Sequence, residues 1–305
     1  MEKLLDEIES YWSTRTEGYS EVNHKELAGT QKNAWLKVLT SQFPDKPKEE
    51  IRILDIGTGP GFFPVILAEA GYHVDAVDYT EGMLEKAKEN AGDLCRNIRF
   101  LRMDAQKLDF EDNTFDVVIS RNLTWNLEHP DVAYREWVRV LKVGGKLLNF
   151  DANWYGYLYE EEQRKAYEND RKNVESNSLD DHYLCTDIER MERIALQVPL
   201  SKIRRPEWDV KTLREAGLLG IRTDTEIWKT VWSEEERLNY QSTPMFMVTG
   251  VKPDHFLNLP VVEGEKTEGF LEIGDGEFTL PATIIRGKNP GKTVLVTAGL
   301  HAGEY

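Results

Sequence analysis

The residues whose types and spacing most clearly suggest chemistry are Asp55, Gly57, Gly59 and Gly61, in the run Asp-Ile-Gly-Thr-Gly-Pro-Gly. They stand where a short apolar run, IRILDIG, meets a helical one, FFPVILAEAG. Glycines at such a junction let the backbone turn tightly and let a ligand approach without a Cβ in the way. The adjoining helix start offers unpaired N–H groups. The spacing therefore predicts a nucleotide-type site. A dinucleotide fingerprint would need glycine at position 62, where the chain has Phe62, and no Gly-Lys-Ser/Thr follows for a phosphate loop. An NAD-linked oxidoreductase is thus the weaker alternative.

A second set of residues could face an acceptor. Trp12 and Tyr19 lie near the start, and Asn122, Trp125 and Asn126 follow the fourth strand-like run. Asp151, Asn153, Trp154 and Tyr157 follow the fifth, which places them at the carboxyl edge of a sheet, where ligands bind in open α/β folds. Aromatic rings there can stack a planar molecule or surround a cation, while Asn and Asp orient polar groups. Ordinary core and lid packing is the competing explanation. His24, His129 and His182 are candidate bases, each equally at home as a surface or capping residue.

The elements that must position these residues follow from periodicity. IRILDIG, YHVDAVDY, NIRFLRMD, FDVVISRN and VGGKLLNFD read as strands separated by helices, one from Thr80 to about Asn90 and another from Asp131 to Leu141. Such alternation predicts an α/β, Rossmann-like, doubly wound sheet that is mostly parallel. Residues 152–205 break the rhythm and read as a charge-rich helical insertion over the carboxyl end of the sheet. IRTDTEI and PMFMVTGV would complete seven strands as a terminal antiparallel hairpin. A first domain is expected over 1–252. After it the glycine-rich residues 253–305 read as a short β-rich segment, the start of a second domain, loosely attached for want of sheet partners.

Composition narrows the class. The 305 residues carry a formal charge of -16 and are 40% hydrophobic, enough for a sizeable core. That charge makes nucleic acid a poor partner, and the short cluster Lys202, Arg204 and Arg205 fits a solvated loop as well as a binding site. No apolar run approaches the ~18 residues of a membrane span. The start MEKLLDEIES lacks a secretory signal, and Cys95 and Cys185 make no disulfide framework, so a cytoplasmic protein is expected.

The acid followed by G-x-G-x-G resembles the first motif of class I methyltransferases, closest to the small-molecule enzymes of ubiquinone and menaquinone biosynthesis, over about residues 8–252. The resemblance implies S-adenosyl-L-methionine as cofactor and a small molecule as methyl acceptor. Asp78, 23 residues after Asp55, would accept hydrogen bonds from both ribose hydroxyls. Asp104, Ala105 and Gln106 would hold the adenine amino group, and Met83 would lie on the adenine face. Tyr79, Arg121, Asn122 and Tyr19 complete the implied cofactor side. No Asn/Asp-Pro-Pro-Tyr/Phe tetrad occurs at Ser120–Leu123, which disfavours methylation of adenine or glutamine amino groups. A non-catalytic binder of the same cofactor is the other alternative. In the tail, His301 and Glu304 in TVLVTAGLHAGEY resemble the first zinc motif of the succinylglutamate desuccinylase/aspartoacylase hydrolases. The resemblance makes them two of three zinc ligands, with zinc expected only if that domain were complete.

Overall fold

Strand β1 (Arg52–Ile56) is buried at four of its five residues, and parallel neighbours pair with both its edges. On one side lie β2 (His73–Asp78) and β3 (Ile98–Arg102), on the other β4 (Phe115–Arg121) and β5 (Leu141–Asp151). The sheet order is β3-β2-β1-β4-β5-β7-β6, with β6 (Leu219–Asp224) and β7 (Phe246–Val251) completing seven strands. The computed structural model describes residues 4–183, 186–256, 258–273 and 278–287. Only β7 runs antiparallel, between β5 and β6. The expected terminal pair is therefore antiparallel, but two short helices separate its strands, so it is not a tight hairpin.

Helices cover both faces because side chains alternate along each strand. Val118 points to a cluster with Tyr134, Trp137 and Leu213, carried by α5 (Pro130–Val140) and α8 (Glu207–Glu215). Val117 and Ile119 point to the opposite cluster with Trp35, Leu39, Phe62 and Ile66, from α2 (Gln31–Thr40) and α3 (Phe62–Glu69). Helix α4 (Glu81–Ala91) starts at Thr80 as read from sequence, although the Thr80 hydroxyl makes no capping hydrogen bond. Asp116 is structural. Its carboxylate accepts from Lys46 and Lys142 and from the Arg52 N–H. Burial pushes its pKa up, but these three donors hold it below the ordinary value.

A third cluster lies over the carboxyl end of the sheet. It joins α1 (Leu4–Ala28), the turn after β5, and the insertion with α6 (Glu161–Ser176) and α7 (Ile188–Ala195). Short helix α10 (Glu234–Asn239) packs on α6 at its far side, whereas α9 (Trp228–Val231) packs on α2 and belongs to the second cluster. Sequence periodicity did not reveal α1. Its buried face includes Thr16, Ser20, Asn23 and Glu26, which carry no apolar repeat.

Beyond residue 252 the described chain forms two antiparallel ladders, β8 (Asp254–Phe256) with β9 (Leu259–Val261), and β10 (Lys266–Ile273) with β11 (Phe278–Ile285). Leu259, Val261 and Val262 are buried, and Glu265 approaches Arg222 of β6 at 4.0 Å. His301 and Glu304 lie outside the described residues. Among the described residues no group of three or more His, Cys, Asp or Glu could hold a metal ion, and no helix is long and apolar enough to cross a membrane.

Candidate functional site

The carboxyl ends of three strands meet in register, Ile56 pairing with Val77 on one side and with Ser120 on the other. The glycine turn leaves β1 at this line. Gly57 and Thr58 donate their N–H groups to the Val77 carbonyl at 2.8 and 3.0 Å, which ties the turn to β2. Gly57 has φ +70°, and a Cβ there would stand 2.7 Å from the Leu123 side chain. Gly61, at φ +91°, starts α3, and a Cβ there would stand 3.0 Å from Ala87 of α4. The glycines thus serve both the turn and the close approach of the next helix.

Asp78 ends β2 facing this turn. Its two oxygens accept the N–H groups of Gly59 and Thr80, both at 2.9 Å. Burial pushes its pKa up, and these backbone donors pull part of the way back. Farther along, Asp104 Oδ1 accepts from the Gln106 N–H at 2.8 Å and from Gln106 Nε2 at 3.1 Å. The Ala105 carbonyl takes the Trp137 indole N–H. Gly57, Gly59, Asp78, Tyr79, Met83, Asp104, Ala105 and Gln106 all line one cavity, which α1 covers with Ile8, Trp12 and Tyr19.

Asp55 and Gly61 are not at its wall. Asp55 is buried beneath the turn, and burial pushes its carboxyl up to about 7. A folded-state pKa above the unfolded value means that its contribution to stability is present when it is protonated and is lost as pH rises through about 7. Asp55→Asn is therefore expected to flatten the fall in melting temperature between about pH 4 and about pH 7. Parallel melting curves for the two proteins would count against this.

A second cavity of about 530 Å³ opens beside the first, and Trp12, Tyr19, Arg121 and Asn122 line both. Arg121 forms a bidentate pair with Glu26 of α1 at 2.8 and 3.0 Å, and its guanidinium lies 4.8 to 5.3 Å from the rings of Phe62, Phe63 and Trp35. Asn122 adopts φ 57°, a strained value for a residue with a side chain, at the junction of the two cavities. Trp125 and Trp154 also line the second cavity, and Asn126 lines the first.

Three expected substrate contacts lie behind the wall instead. Asp151 is fully buried and accepts from the Trp125 and Ala152 N–H groups, Trp154 Nε1 and Arg205 Nη1, which leaves it no free face. Asn153 donates to the Arg205 carbonyl. Tyr157 stacks on Tyr167 at 4.1 Å and donates to Glu192. Of the candidate bases, His24 and His129 are exposed, whereas His182 lines the second cavity. Sequence reasoning missed Glu26, Glu236, Trp232 and Tyr240 on the same cavity. Only the local aromatic content near Trp232 could have signalled the last three.

The first cavity suits an amino-acid-bearing nucleoside. Asp78 offers a carboxylate to a vicinal diol. Asn122 Oδ1 and Asn126 Oδ1 are buried without a partner among the described residues, so each has capacity for a donor such as an ammonium group.

Known proteins share part of this sequence and its fold. Residues 54–149 match the family model described as a methyltransferase domain. The demethylmenaquinone methyltransferase of Renibacterium salmoninarum is 32% identical over 148 residues, 48% of this chain and 60% of the relative. The ubiquinone/menaquinone biosynthesis C-methyltransferase of Pseudomonas entomophila is 40% identical over 103 residues, 32% of this chain and 40% of the relative. The chain spans 39% to 60% of the length of the curated relatives it matches. Phosphoethanolamine N-methyltransferase 2 of Haemonchus contortus, solved with S-adenosyl-L-methionine, shares the fold at a TM-score of 0.53 and 19% identity, over 73% of this chain and 53% of that one.

Proposed function

We propose that this chain, whose residues 54–149 form a methyltransferase domain on a class I Rossmann-like fold, moves a methyl group from S-adenosyl-L-methionine to a small molecule. The observation that carries this is the pair of cavities joined at Trp12, Tyr19, Arg121 and Asn122. One suits the cofactor, and the other leaves room for an acceptor at its reactive end. The cofactor, when bound, supplies an electrophilic methyl carbon on a sulfonium. The chain then has to align the attacking atom and exclude water, so proximity carries much of the rate. Asp78 would hold the ribose, Asp104 and Gln106 the adenine side, and Met83 its face. Tyr19, Arg121 and Asn122 stand where the two cavities meet, and aromatic rings form part of the wall of the second.

The formal charge of -16 supports a small-molecule rather than a nucleic-acid acceptor. We place the protein in the cytoplasm, with the methyltransferase unit over 1–252 and a zinc-hydrolase-like segment over 253–305. Zinc would enter only through that segment, by way of His301 and Glu304. Calorimetry with S-adenosyl-L-methionine, S-adenosylhomocysteine and NAD tests the assignment. Binding of the first two and not NAD is expected, and binding of NAD alone would overturn it. Methyl-labelled cofactor incubated with a protein-free metabolite extract would then identify the acceptor.

A further inference from the structure

The second cavity contains a chain of proton-bearing side chains that alignment of two ligands does not require. His182 Nδ1 lies 2.9 Å from Tyr240 Oη, and His182 Nε2 lies 3.1 Å from Glu235 Oε1. Both His182 and Tyr240 line the cavity. The imidazole is held from several directions. Its backbone N–H donates to Asn239 Oδ1 at 3.0 Å, and Arg171 of α6 binds the Asn239 carbonyl and Asp181. The rings of Trp154, Trp232 and Tyr183 surround Tyr240 at 5.2 to 5.9 Å.

In a neutral imidazole this arrangement gives both hydrogen bonds a direction. A carboxylate only accepts, so Nε2 carries the imidazole proton and points it at Glu235. Nδ1 is then left with its lone pair toward Tyr240, which donates. Burial pushes the Tyr240 pKa well above its ordinary value, so the phenol keeps its proton. Its oxygen retains lone pairs that can take a proton from a ligand in the cavity. The order Glu–His–Tyr follows the general logic of a base oriented by a third group.

We propose that Tyr240, His182 and Glu235 form a proton-accepting relay, and that the acceptor is a planar molecule whose attacking oxygen or nitrogen still carries a proton. The inference rests on the methyl-transfer function proposed above. A base is needed only when the nucleophile is protonated, and aromatic walls select a planar body. In the step, a lone pair of the attacking atom forms the new bond to the methyl carbon while the carbon–sulfur pair returns to sulfur. The attacking atom's proton passes to Tyr240 Oη, and the proton of Tyr240 passes to His182 Nδ1. The resulting imidazolium rests against Glu235. Tyr240 meets the acceptor, and His182 and Glu235 act through it. Among the described residues, the charged or titratable groups around the relay include Asp180, Asp181, Tyr183, Arg171 and Asp170, with Glu236 on α10 and Lys25 of α1, which lies 3.9 Å from Asp180.

Nitrogen NMR of the full chain labelled at histidine, without cofactor, tests the wiring. The His182 signals are identified by their loss in His182→Gln. The Nε2-protonated tautomer is expected, with Nδ1 shifting in Tyr240→Phe. An Nδ1-protonated ring would overturn the relay. The second readout is transfer of labelled methyl into a protein-free metabolite extract as a function of pH. Wild-type transfer should rise by about one log unit per pH unit along one limb, and His182→Gln and Tyr240→Phe should lower it about 100-fold and flatten that limb. Unchanged cofactor affinity by calorimetry shows that the variants remain folded. Variant rates and pH profiles equal to wild type would overturn the relay while leaving methyl transfer standing. Label recovered on carbon or on a thioether sulfur would overturn the acceptor class. A wild-type chain that binds no cofactor would instead defeat the methyl-transfer function, and the relay with it.

Discussion

Arg205→Met is expected to lower the free energy of unfolding by about 3–5 kcal/mol, the usual cost of removing one partner of a buried ion pair. The Arg205 side chain has no solvent exposure, nor do those of Asp151 and Asp209. Its guanidinium donates to Asp151 Oδ2 at 2.7 Å and to both oxygens of Asp209 at 2.9 and 2.6 Å. Asp209 in turn accepts from Tyr134, and Asn149 joins Tyr134 to Thr124. One cation therefore serves two carboxylates, and methionine would leave both without a counter-charge. Burial already pushes Asp151 up, with Arg205 pulling it down. Removing Arg205 raises it further, so the deficit should narrow as pH falls and Asp151 takes up a proton.

The same substitution should disturb the second cavity, because Asp151 also fixes the Trp125 backbone and the Trp154 indole. Denaturant unfolding and tryptophan fluorescence would follow the two effects together. A loss below about 1 kcal/mol would mean that the network is not the buried cluster it appears from its contacts, since that is the range of exposed pairs.

Arg205 also illustrates where sequence reasoning stopped. In KIRRPEW it looks like part of a solvated basic cluster, and its partner Asp151 is 54 residues away. Its other partner, Asp209, stands only four residues on, but nothing in that run assigns it to Arg205 rather than to Arg204. The cofactor side was legible because its chemistry is local. Asp55 to Gly61 form one turn, and Asp78 and Asp104 each close a strand whose apolar run is visible in sequence. The second cavity is built mainly by α1 and the segments around α10, whose cavity-facing residues are a mixture of Tyr, Trp, Glu and Asn. Helix α1 buries Asn23 and Glu26 at the second cavity, and Thr16 and Ser20 against Gly82 and Asn90 of α4, so no hydrophobic period betrays it. Counting from the fifth strand put Asp151, Asn153 and Tyr157 at the right end of the sheet. Their direction depends on Arg205 and Tyr167, which tertiary packing brings in.

Asp78→Ala should weaken S-adenosyl-L-methionine binding by at least about 100-fold. A hydrogen bond to a charged group contributes about 1.5–3 kcal/mol, and each 1.4 kcal/mol is tenfold in affinity. Two ribose contacts therefore account for the loss, before any slackening of the turn through Gly59 is added. Asp78→Asn keeps one acceptor oxygen of similar shape, so its loss should be nearer tenfold. The difference between the two variants separates charge from turn support, since Asn can still accept the Gly59 N–H. Burial raises the Asp78 pKa, so protonation competes with the diol. Wild-type affinity should fall as pH drops through that raised pKa, whereas the affinity of Asp78→Asn should not follow it. Calorimetry across pH measures all three, and an Asp78→Ala chain that binds as tightly as wild type would remove the carboxylate from the cofactor site.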